Sequence, residues 1–119
     1  MKYVLLIYLE ENAISDTERE HCYEKSARLA QQLNSNGQYL ATAPLHPVAT
    51  ATSVRVRDGK PLVTDGPFAE TREQLGGFFL INAQDLDEAI DIAAQIPGAQ
   101  FGTVEIRPVI EVAGLPENS

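Results

Sequence analysis

A single cysteine, Cys22, in a chain of 119 residues excludes an internal disulfide, and a reducing compartment is the simpler setting for such a protein. Basic residues are scarce as well: 9 stand against 17 acidic ones, for a formal net charge of −8. That field repels phosphate backbones, so direct binding of DNA or RNA is not expected. Long apolar runs are missing. The stretch Tyr3 to Leu9 is too short to span a bilayer and meets Glu10-Glu11 with no small-residue cleavage site, so neither membrane insertion nor secretion is expected and a cytoplasmic location is. No His, Cys or carboxylate spacing matches a metal centre, and Gly76-Gly77 lacks the strand–GxGxxG–helix setting of a dinucleotide site. No metal and no cofactor are expected.

What is present reads as one domain over residues 1–112, followed by a tail over 113–119 that looks frayed. KYVLLIYL (Lys2 to Leu9) is apolar throughout, as for a strand buried on both faces. Ser15 and Glu18 have capping-box spacing and open a helix whose inner face carries Cys22, Ser26, Leu29, Ala30 and Leu33. Asn36-Gly37 stops it. A second strand follows from Gln38 to Leu45, with Pro44 placing it at an edge. Thr52 to Arg57, Asp58-Gly59 and Lys60 to Thr64 form a β-hairpin with a type I′ turn. Gly77 to Ala83 is a further strand, apolar on both faces. Asp85 and Glu88 repeat the capping-box spacing and open a second helix with the stripe Leu86, Ala89, Ile90, Ala93 and Ala94, from which Ile92 deviates. Pro97-Gly98 ends it, and Thr103 to Val109 is the last strand.

Strand–helix–strand, hairpin, strand–helix–strand is the order of an α+β, ferredoxin-like βαβ-βαβ fold with an extra hairpin. Two helices cover only one face of its sheet, while the first strand and the Phe78-Phe79 strand offer apolar side chains to both. A second copy of the chain is the simplest cover for the other face, so a homodimer is expected. Paired sheets would enclose a cavity rimmed by the hairpin and by the loop after it.

That loop and its flanks, Val63 to Ala83, hold the candidate site. Asp65 precedes Gly66-Pro67, where it either caps a turn or serves as an acid, base or acceptor at the cavity rim. Glu70, Arg72 and Glu73 form a polar recognition cluster or a solvated loop. Arg55 and Arg57 share a strand face and suit an anionic ligand or an internal carboxylate equally. Tyr8 lies at the end of a central strand, where its phenol can reach the cavity. His21 and His46 read as surface residues, and Cys22 as core.

The run Asp65-Gly66-Pro67-Phe68-Ala69-Glu70-Thr71-Arg72-Glu73-Gln74-Leu75-Gly76-Gly77-Phe78-Phe79 resembles the signature of the DGPF family, grouped with the YCII-related domains. The likeness extends from Lys2-Tyr3-Val4-Leu5-Leu6-Ile7-Tyr8 to Val104-Glu105-Ile106-Arg107-Pro108-Val109. It implies a dimeric α/β barrel. YCII-type members carry a histidine in the first helix and an aspartate before the proline that ends the second, which implies an enzyme. DGPF-type domains occur fused to or encoded beside sigma-70-type factors, which implies a role in transcription initiation. This chain has Ser26 near the place of that histidine and Ile96 in place of that aspartate, so no His–Asp proton-transfer pair carries over. The expected function is a small binding or regulatory module with a small-molecule ligand or a sigma-70-type partner, using Tyr8, Arg55, Asp65, Glu70, Arg72 and Glu73. The alternative is an enzyme on a small polar or anionic substrate, with Asp65 or Glu70 as general base and Arg55 holding the anion.

Overall fold

The computed structural model describes residues 1–116, so the last three residues of the expected tail lie outside the described residues. Six strands and two long helices follow one another as β1 (Lys2–Leu9), α1 (Asp16–Ser35), β2 (Tyr39–Pro44), β3 (Thr52–Arg57), β4 (Lys60–Asp65), β5 (Gln74–Asn82), α2 (Leu86–Gln95) and β6 (Thr103–Pro108). Four of the strands make one antiparallel sheet in the order β2-β5-β1-β6, and β3 and β4 pair only with each other. This is the ferredoxin-like arrangement, mixed α+β, with β1 and β5 at its centre.

Local chemistry accounts for the element ends. The Ser15 hydroxyl accepts from the Glu18 backbone N–H at 3.1 Å, and the Glu18 carboxylate accepts from the Ser15 N–H at 3.0 Å, so two of the free donors at the start of α1 are satisfied. Gly37 takes φ +73° just beyond the helix, which glycine adopts without steric cost. Asp58 and Gly59, at φ 53° and 74°, form the tight turn between β3 and β4. The second cap differs from the expected box. Asp85 accepts from the Glu88 N–H at 2.9 Å, while Glu88 reaches past it to the Gln84 N–H at 3.2 Å and the Gln38 amide at 2.9 Å. Glu88 thereby ties α2 to the segment leading into β2.

Both helices lie on one face of the sheet. Tyr3 and Leu5 of β1 and Phe79 and Ile81 of β5 are buried against Leu29 and Leu33 of α1 and Ala89, Ile92 and Ala93 of α2. The phase of α2 corrects the expectation drawn from its stripe. Ile92 is buried and Ile96 follows it at 1% exposure, whereas Leu86 and Ile90 are about half exposed. The buried set 89, 92, 93, 96 has the i, i+3, i+4, i+7 spacing of one helical face, and the turn after α2 holds Ile96 inside. That anchor rotates the helix toward Ile92 and leaves the Leu86–Ile90 stripe outside.

The opposite face of the sheet carries Val4, Leu6 and Tyr8 of β1 beside Phe78 and Leu80 of β5, all half-buried, with no helix over them among the described residues. The β3–β4 hairpin stands apart from the body, and every residue of β4 is exposed. The resulting radius of gyration, 16.0 Å, exceeds the roughly 13.5 Å expected of a compact chain this long.

Candidate functional site

Along the first turns of α1 runs a cleft of about 450 Å³, partly open to solvent. The helix supplies Arg19, Cys22, Tyr23, Ser26 and Ala27, and the sheet side supplies Ile7 and Leu9 of β1, Thr42 to Pro44 of β2, and Gly76, Gly77 and Phe79 of β5. Ile96 and Gly98, from the turn after α2, complete the interior, and Leu45 to Pro47 form a lip. The glycines help to shape this space. A Cβ on Gly77 would stand 3.0 Å from the Ala43 carbonyl oxygen and 3.3 Å from the Pro44 Cα, and one on Gly98 would stand 2.7 Å from the Ile7 Cγ2. Close packing of chain on chain, expected for the glycine pair, therefore holds at Gly77; a side chain at Gly76 would make only ordinary contact.

The interior is mainly apolar, with Ile7, Leu9, Phe79 and Ile96 buried or half-buried, and the exposed mouth mixes apolar Tyr23, Leu45 and Pro47 with polar Asn12 and His46. Glu11, Asn12, Arg19 and His46 supply charged, amide and imidazole groups to the lining, and a set of hydrogen bonds fixes their segments. The Val48 N–H donates to the Glu11 carboxylate at 2.9 Å, the Glu11 N–H donates to the Gln74 side chain at 3.2 Å, and Arg19 donates to the Glu11 carbonyl at 3.0 Å and the Asp16 carboxylate at 3.1 Å. Cys22 sits on the wall, half-buried. Burial pushes its thiol above the ordinary value, Glu18 adds to that effect, and Lys25 and Arg19 oppose it. A neutral thiol is a weak nucleophile, so Cys22 contributes a soft apolar surface.

A second, shallower depression of about 410 Å³ adjoins the mouth, lined by Glu10 to Ala13, Thr71, Arg72 and Gln74. Arg72 spans it, donating to the Glu10 carboxylate at 2.7 Å.

The residues singled out in the sequence are dispersed. Of the six residues expected to bind a ligand, Arg72 alone lines either depression. Arg55 lies over the Phe68 ring, 5.6 Å from its centroid. Asp65 ends β4 opposite Thr52 and is exposed; the turn after it is fastened instead by the Gly66 N–H donating to the Ala51 carbonyl at 2.7 Å and the Ser53 hydroxyl donating to the Gly66 carbonyl at 2.8 Å. Glu70 is exposed in the following bend, and Glu73 accepts from the Thr103 hydroxyl at 2.8 Å. Tyr8 lies on the helix-free face, away from the cleft. Arg55, Asp65 and Glu70 thus line neither depression.

The cleft went unread in the sequence because its walls come from six separate segments. One signal did point to it. Ser26 and Ile96, the positions where the resemblance places a histidine and an aspartate, both line it.

A family model for the YCII-related domain matches residues 1–113. An uncharacterised protein of Rhizobium meliloti (strain 1021) is 37% identical over 114 residues, which is 92% of each chain.

Proposed function

The chain belongs to the YCII-related domain family, and on that footing we propose that it works as a dimeric binding module that holds a small, mainly apolar molecule in the cleft beside α1. One observation carries this reading: the cleft is lined by buried and half-buried apolar side chains (Ile7, Leu9, Phe79, Ile96), and polar Asn12 and His46 stand exposed on its rim. Its volume of about 450 Å³ is within the ordinary range for small-ligand sites. An apolar body would gain from leaving water while a single polar end stayed at the mouth.

Binding is favoured over catalysis by the residues present. Ser26 stands where the resemblance places a histidine, and Ile96 cannot exchange a proton. Asp65 and Glu70 lie outside the cleft. The dimer is supported by the apolar, helix-free sheet face, which a second copy covers by two-fold symmetry.

The test is native mass spectrometry of protein purified gently from its own cells, wild type beside Ala27→Trp, followed by titration of both with octanoate and octanol. Ala27 is an exposed helix residue on the cleft wall, so an indole there fills the space without touching the core. A small-molecule adduct on the wild type alone, with octanoate or octanol shifting the backbone resonances of Cys22 and Ser26 only in the wild type, is the expected result. Equal binding by the variant, or no binding by either, would overturn the reading.

A further inference from the structure

Four charged side chains line the two depressions: Glu10, Glu11, Arg19 and Arg72. Two carboxylates against two guanidiniums leave this region neutral, while the other 15 acidic and 7 basic residues carry the whole net charge of −8. An anion repelled by the rest of the surface is least opposed here.

Three of the four groups are already engaged. The Glu11 carboxylate accepts from the Val48 N–H at 2.9 Å, Arg19 is held by the Asp16 carboxylate and the Glu11 carbonyl, and Glu10 accepts from Arg72 at 2.7 Å. Arg72 differs from them. That one bond uses its Nε, and among the described residues its two terminal nitrogens have no partner. The pair joins residues 62 positions apart, so it pins an exposed loop side chain across the depression beside the cleft mouth. An ion pair whose arginine is 87% exposed contributes little to stability. What it provides is a guanidinium fixed in place with its outer edge open, and that edge presents two parallel N–H groups matching the two oxygens of a carboxylate.

The depression shares Glu11 and Asn12 with the cleft, so a head group held at Arg72 leaves an attached apolar body at the cleft entrance. We infer, on the footing of the cleft reading above, that the molecule bound there is an amphipathic carboxylate, with its apolar body among Ile7, Leu9 and Phe79 and its carboxylate on the outer edge of Arg72. A phosphate suits the same edge less well, because its second charge would face Glu10 and Glu11.

Calorimetric titration of the full chain with octanoate, octanol and octyl phosphate tests this, wild type beside Arg72→Gln. Arg72 lies exposed in a loop, so circular dichroism should not change. Octanoate and octanol should both bind the wild type. Arg72→Gln should raise the octanoate dissociation constant about 5-fold, the scale of an exposed charge-assisted pair, and leave that of octanol unchanged. High salt should do the same to the wild type, and the Arg72 Nε–H resonance should shift with octanoate and not with octanol. Octanoate bound equally by both proteins, or octanol weakened as much as octanoate, would overturn the role of Arg72 and leave the cleft reading standing. Octyl phosphate bound more tightly than octanoate would overturn the carboxylate. A wild type that binds neither octanoate nor octanol overturns cleft and head group together.

Discussion

Gly102 packs with its α-carbon directly against the Tyr8 backbone carbonyl, so that a Cβ at this position would collide with the Tyr8 oxygen and come within 3.0 Å of the Leu9 Cα. The contact lies where the turn after α2 feeds β6 alongside β1, and both partners are main chain with little freedom to yield. Overpacking of this kind commonly costs about 1–3 kcal/mol and more where backbone must move, so Gly102→Ala should fall at or above the top of that range. The neighbouring glycines supply the scale. At Gly98 the obstruction is one Ile7 methyl, and at Gly76 the nearest atom is a leucine methyl at 3.6 Å. Denaturant unfolding should rank the losses Gly102→Ala, then Gly98→Ala, then Gly76→Ala, and a Gly102→Ala protein as stable as wild type would refute the close approach.

The capping box at the start of α1 gives a prediction with a pH sign. Hydrogen bonds from the Ser15 backbone N–H and hydroxyl hold the Glu18 carboxyl below its ordinary value of 4.5. The folded chain therefore binds that proton less readily than the unfolded chain does. The resulting stabilisation is complete above 4.5 and is lost as pH falls through the lower, folded value. Glu18→Gln should flatten the fall in stability on the acid side, measured by urea unfolding between pH 3 and 6 at constant ionic strength. Ser15→Ala removes the hydroxyl and should cost about 1 kcal/mol at neutral pH.

The two isoleucines of α2 separate what the pattern suggests from what the packing requires. By stripe alone Ile90 belongs inside and Ile92 outside; in the fold Ile92 is 4% exposed and Ile90 is 47% exposed. Ile92→Ala should cost about 2–5 kcal/mol, and Ile90→Ala no more than about 0.5 kcal/mol. Equal losses would mean that the helix sits at an intermediate rotation.

That reversal shows where sequence reasoning ends. The hairpin was legible because Asp58-Gly59 requires positive φ, α1 because Ser15 and Glu18 satisfy its free donors, and the central pair β1–β5 because both strands are apolar on two faces. Each of these signals is local to a few adjacent residues. The phase of α2 was not legible, since a ten-residue helix with apolar residues on more than half its circumference fits two rotations, and the deciding anchor, Ile96, lies beyond it. The cleft was out of reach for a related reason. Charges such as Asp65 and Glu70 stand out in a sequence wherever they fold, whereas an apolar concavity exists only after α1, β1, β2, β5 and the turn at Ile96 have been assembled.

Cys22 reports on that concavity. Two influences compete at its thiol: burial disfavours the thiolate, and the positive charges of Lys25 and Arg19 favour it, with Glu18 opposing them. Burial is the largest, so alkylation by iodoacetamide should rise with an inflection above the ordinary thiol value of 9.0 and proceed slowly at neutral pH. Glu18→Gln should move the inflection down, and Lys25→Gln should move it up. Because the thiol lines the cleft, octanoate bound there should slow alkylation further without moving the inflection if it acts by blocking access alone. Ala27→Trp should slow the reaction in the same way and abolish the octanoate effect. An inflection at or below the ordinary value would show that the two cations outweigh burial and that Cys22 is an available nucleophile rather than a wall.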